Sequence, residues 1–114
     1  LLANIHLSGS TITLVSCSMA ILYLQGDPAT FIKYLPFILM LGVTMIAAPG
    51  VPGGAVVAAL GLLESMLGFG QTMLSLMIAL YVAQDSLGTA CNVTGDGAIT
   101  SLVNSIGHRK VKEA

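Results

Sequence analysis

Pro49-Gly50-Val51-Pro52-Gly53-Gly54 separates two short apolar runs, Thr30 to Ala48 and Ala55 to Leu67. Two prolines and three glycines in six positions cannot continue a helix. Proline lacks the N–H that a helix needs, and glycine loses the most backbone freedom on ordering. No charge accompanies them to draw the turn into water. A spanning helix needs about 20 apolar residues. The apolar core of the first run, Leu35 to Ala48, is shorter than that, and so is the second run. Two apolar helices too short to cross, joined by an uncharged turn, predict a re-entrant hairpin. Irregular backbone at membrane depth is tolerated only where protein or a water-filled cavity covers it. In transporters such broken segments point to the binding site. The competing reading, a surface turn between two spanning helices, conflicts with the length of the runs.

The composition supplies the solvent. Hydrophobic residues make up 55% of the 114 residues and charged residues 8%, against about 25% charged in an ordinary soluble domain. There is too little charge to solvate one face of each helix, so lipid is the medium that fits. No basic residue stands between Lys33 and His108, whereas Arg109, Lys110 and Lys112 crowd the end. A terminal Lys/Arg cluster beside an apolar span predicts a cytoplasmic carboxyl terminus. So few basic residues, gathered at one end, exclude a nucleic-acid footprint. Cys17 and Cys91 lie in apolar, helix-like stretches without metal or redox spacing, and both are expected to be buried as small hydrophobes. The chain opens on Leu1-Leu2, which predicts further segments upstream.

Four stretches follow. Residues 1–25 hold a polar, Gly-containing start and an apolar helix, broken by Gly26-Asp27-Pro28. Residues 30–68 form the hairpin, with its tip at 49–54. Residues 71–106 form a long last transmembrane helix, and 107–114 a basic tail. The expected fold is an all-α, multi-pass membrane protein with a partly unwound helix, a re-entrant helical hairpin and a long carboxyl-terminal helix. The opening Ala3-Asn4-Ile5-His6-Leu7-Ser8-Gly9-Ser10-Thr11 suits an unwound link that offers carbonyls to a cation.

The last helix carries the chemistry. Asp85, Thr89, Asn92 and Asp96 stand at i, i+4, i+7 and i+11, which places them on one helix face. Gly88 and Gly95 lie on or beside that stripe and leave room for other backbone. Ionisable groups inside a spanning segment are costly and mark function. Two carboxylates there need counter-charges, and no Lys or Arg is near in sequence. Their partners must be cations, protons or a cationic substrate group. Hard cations prefer carboxylate, amide and carbonyl oxygens, so Asn92 and Asp96, one turn apart, suit a small cation. Asp85, about three turns away, suits a substrate ammonium. His6 suits a ligand, a proton carrier or a structural hydrogen bond. Glu64, late in its run, reads as a helix-end carboxylate at the interface. The Asn92-Val93-Thr94 match to a glycosylation acceptor is incidental, because acceptors sit on exposed loops.

These residues resemble the dicarboxylate/amino acid:cation symporter family, which includes glutamate transporters and bacterial serine/threonine transporters. Asn92-Val93-Thr94-Gly95-Asp96 resembles the hallmark of that family's last helix. Gly50-Val51-Pro52-Gly53 resembles the tip of its second hairpin, and Ala3 to Thr11 takes the place of its unwound motif. The resemblance covers nearly the whole chain, which corresponds to the carboxyl-terminal part of the transport domain. It implies that Asn92 and Asp96 help form a sodium site and that Asp85 holds a substrate amino group. Thr89 and Asn92 would contact the substrate, while Gly50, Val51, Pro52 and Gly53 close over it. Carbonyls near Asn4 and from Ile46 to Ala48 would complete a second cation site when the tip closes. The family works as homotrimers with a separate scaffold, in an elevator-like motion.

Three departures shape the expectation. His6 stands where the family has Asn, and Ser8 where it has Asp, which weakens one cation site and raises proton coupling through His6. Gly88 stands where carriers of acidic substrates place an Arg, and glycine cannot pair with a carboxylate. Asp85 is kept. The expected activity is symport of a small neutral amino acid, such as serine, threonine or alanine, with sodium and a possible proton through His6. It is not an enzyme, since no nucleophile–base pair is present. Competing classes are a channel module with the same polar stripe, a structural membrane subunit, and a symporter of acidic amino acids or dicarboxylates.

Overall fold

The computed structural model describes residues 6–28, 30–48, 51 and 53–113. Every regular element among them is an α-helix: α1, Ser8–Leu24; α2, Phe31–Met45; α3, Gly54–Leu67; and α4, Gln71–Glu113. The chain is an all-α membrane protein. Helix α4 is long and apolar enough to cross a bilayer, whereas α1, α2 and α3 are apolar but shorter. At 1.5 Å per residue, α2 and α3 each reach only about 20 Å, short of a hydrocarbon layer about 30 Å thick.

The hairpin helices pack on each other, and α1 packs along α4. Phe37, Leu41 and Met45 of α2 share one core with Val56, Ala59, Leu63 and Leu67 of α3, and with Leu14, Ile21, Met77 and Tyr81 of α1 and α4. Tyr34 meets Phe37 edge to face, with ring centroids 5.8 Å apart, and its hydroxyl donates to Ser18 Oγ (3.2 Å). The outward face of α2, with Ile32, Leu39 and Val43 exposed, is as apolar as its buried face. A helix that is apolar all round belongs in a core or in lipid.

Gly53 starts α3 with φ 75°, in the left-handed region, where a β-carbon costs roughly 1–2 kcal/mol. This is why the turn into α3 carries glycine. At the other end of the hairpin pair, Asp27 and Lys33 form an ion pair at 2.6 Å across the α1–α2 turn.

Three sequence expectations change. Ser8 to Thr11 are helical, so within the described residues the unwound stretch is only His6 and Leu7. Leu7 supplies the reason: its carbonyl accepts both the Thr11 N–H (2.9 Å) and the Thr11 hydroxyl (2.8 Å), which starts the helix early. Helix α4 runs beyond Ile106 to Glu113, because Gly107 to Lys112 contain no proline and basic residues suit a helix end. Cys17 is buried, but Cys91 is exposed. Glu64 is exposed near the end of α3, as its position in the sequence suggested.

Candidate functional site

Close contact between α1 and α4 depends on missing side chains. A β-carbon added at Gly9 would stand 2.5 Å from the Gly88 carbonyl oxygen and 2.8 Å from Cys91 Cβ. Small residues allow such approach between membrane helices. The approach delivers the start of α1 to the polar stripe of α4. Gly9 N–H donates to Asn92 Oδ1 (2.9 Å), and Asn92 Nδ2 donates to Ser10 Oγ (2.8 Å). Asn92 is thereby buried at 6% exposure, which removes it as a glycosylation acceptor. Its amide is held by two successive residues of α1, Gly9 and Ser10, and its remaining hydrogen-bonding capacity is directed by them.

One turn on, His6 Nδ1 lies 3.5 Å from Asp96 Oδ1. That nitrogen is buried and makes no hydrogen bond among the described residues. A β-carbon at Gly95 would overlap the His6 ring, so Gly95 is the gap into which the imidazole fits. His6 and Asp96 therefore form a second contact between the start of the chain and α4.

Asp85 faces a third element. Its Oδ2 accepts the Gly53 N–H at 3.0 Å, tying α4 to the turn that begins α3. Val82 lies beside the same glycine, 3.4 Å from where its β-carbon would be. Next to this contact an open groove is lined by Val82, Asp85, Ser86, Thr89, Ala90 and Val93. Asp85 and Thr89 thus border one space, while Asn92 and Asp96 turn toward α1. The single stripe read from the sequence divides between two neighbours.

Other expected residues separate in the same way. Gly88 is buried against the Gly9–Ser10 backbone, with 3.6 Å from its would-be β-carbon to Gly9 C and Ser10 N, and does not line the groove. Val51 is exposed in the tip and Gly53 is buried. Ile46 is exposed, and Ala48 is buried at the end of α2. Asn4, Gly50 and Pro52 lie outside the described residues. Gly9 and Ser10, the partners of Asn92, were not foreseen as site residues. Their signal was a run of small residues at the start of a helix whose partner also carries glycine.

Among the described residues no salt bridge from Lys or Arg reaches Asp85 or Asp96. Nor do they contain a cluster of three or more His, Cys, Asp or Glu side chains. A cation here would rely on one carboxylate with amide, hydroxyl and carbonyl oxygens, the donor set of hard ions.

The model of the sodium:dicarboxylate symporter family matches residues 1–106. No curated protein and no solved structure gives a match. The match takes in the start of α1, the hairpin and all the polar part of α4. The chain belongs to the sodium:dicarboxylate symporter family, membrane carriers that couple a dicarboxylate or amino acid to sodium.

Proposed function

We propose that the chain serves symport of a small neutral amino acid with sodium, and that Asp85 receives the substrate ammonium. The observation that carries this reading is the Asp85–Gly53 contact at 3.0 Å. One carboxylate oxygen accepts from the hairpin tip, and the side chain also borders the groove, where a cationic group would reach it. Ammonium binding and tip position then meet at one side chain. Thr89 borders the groove and contacts the substrate, while Gly50, Val51, Pro52 and Gly53 close over it. Asn92 and Asp96 serve the sodium site, with carbonyls near Asn4 and from Ile46 to Ala48 completing a second one. Sodium binds the closed tip better than the open tip and so favours closure.

Gly88 leaves no guanidinium for an acidic side chain, which supports a neutral substrate. His6, 3.5 Å from Asp96, carries a proton in this reading. The basic end of α4 lies in the cytoplasm, and the carrier assembles as a trimer.

The test is uptake into vesicles by the full-length transporter, with a panel of neutral and acidic amino acids, with and without sodium. Sodium-driven accumulation of serine, threonine or alanine is the expected result. Equal or better uptake of aspartate overturns the neutral assignment. Dissipation of a gradient without accumulation overturns symport.

A further inference from the structure

Helix α4 is longer than a bilayer requires. Its 43 residues reach about 65 Å at 1.5 Å per residue, twice a hydrocarbon layer about 30 Å thick. Part of it therefore lies at or beyond a membrane surface. Near its start, Leu74, Met77 and Tyr81 are held in the protein core, and no charge stands before Asp85. Arg109, Lys110 and Lys112 stand near the other end. Charge is costly in hydrocarbon, so this is the end that reaches the lipid headgroups.

Beyond Asp96 the helix has no cover among the described residues: every residue from Gly97 to Lys112 is exposed. The segment is nonetheless two-sided. Ile99, Leu102, Val103 and Ile106 stand at i, i+3, i+4 and i+7, which is one face of a helix. Ser101, Asn104 and Ser105 lie on the other side. Lys110, at i+11, continues the apolar stripe, with Arg109 beside it. The rise from Ile99 to Lys110 is about 16 Å, close to one leaflet of the hydrocarbon layer.

An apolar stripe one leaflet long that runs into a basic end matches a negatively charged amphiphile. We propose that residues 99–112 form a binding face for an anionic phospholipid. Its acyl chains lie along Ile99, Leu102, Val103 and Ile106, and its headgroup meets Lys110 and Lys112. Lysine stems extend along apolar surface and carry their charge to the headgroup level, where each basic residue adds attraction to anionic lipid. A second copy in the same membrane orientation is disfavoured, because it would set its own Lys110 beside the first, like charges at close range. The inference uses the membrane placement of α4 and neither the substrate nor the ions proposed above.

The experiment is photolabelling of the full-length transporter in phosphatidylcholine vesicles that carry a trace of photoreactive phosphatidylglycerol or photoreactive phosphatidylcholine. Labelled peptides are mapped by mass spectrometry. Phosphatidylglycerol is expected to label the 99–112 segment at least about tenfold more than phosphatidylcholine does. The double variant Lys110→Gln/Lys112→Gln is expected to lower that labelling about tenfold or more. High salt is expected to lower it in wild type, since salt screens exposed charge. Equal labelling of the segment by the two lipids overturns the inference, and so does phosphatidylglycerol labelling that the lysine variant leaves unchanged. A segment that takes no lipid label but is cross-linked to another part of the protein, or to a second copy, also overturns it. If the variant fails to insert, the salt series on wild type decides, and labelling indifferent to salt is the contrary result. Failure of the transport assignment shows separately, as absence of sodium-driven uptake with the lipid preference intact.

Discussion

The Asp85 carboxylate accepts the backbone N–H of Gly53 at 3.0 Å, across 32 residues of sequence. A half-buried carboxylate on the long helix thereby holds the start of the second hairpin helix. Asp85→Asn keeps the shape and removes the charge. Truncating one partner of a charged pair typically costs about 2–5 kcal/mol. Binding of a neutral amino acid, measured by calorimetry, is expected to weaken at least about 30-fold.

Gly53 has φ 75° and its would-be β-carbon lies 3.4 Å from Val82 Cγ2. Gly53→Ala therefore meets backbone strain, roughly 1–2 kcal/mol, with Val82 at ordinary contact distance. The strain falls on the tip geometry, so the substrate KM is expected to rise about fivefold or more. Initial-rate uptake over a range of substrate concentrations checks this.

Gly9→Ala pushes α1 off α4, since the new methyl would stand 2.5 Å from the Gly88 carbonyl oxygen. Overpacking of this kind costs about 1–3 kcal/mol. A lower melting temperature in detergent is expected. Gly42→Ala serves as the control, because nothing lies within 4 Å of that position, and its melting temperature is expected to match wild type.

His6 lies against Asp96, so a proton on the imidazole opposes cation binding at that carboxylate. His6→Asn removes the imidazole from that contact and is expected to change the apparent sodium affinity about fivefold or more. Transport currents at several sodium concentrations, at one fixed pH, check it.

Much of this arrangement was legible from residue type and spacing. The Pro/Gly turn between short apolar runs located α2 and α3, because no helix continues through two prolines. The i, i+4, i+7, i+11 stripe located the polar face of α4, because helical spacing is fixed. Which neighbour each polar group meets was not legible. Asn92 turns to Gly9 and Ser10, and Asp85 turns to Gly53; both follow from long-range packing that local spacing does not encode. Cys91 shows the converse: an apolar neighbourhood in sequence did not make it buried.

The central claim is that cargo and coupled ions neutralise the carboxylates of α4. Sodium-dependent accumulation of a neutral amino acid in vesicles, compared between wild type and Asp96→Asn, tests it most directly. The account predicts concentrative uptake driven by a sodium gradient in wild type, and loss of the sodium dependence in the variant. Accumulation that proceeds equally without sodium, or an Asp96→Asn carrier with unchanged sodium activation, would contradict it.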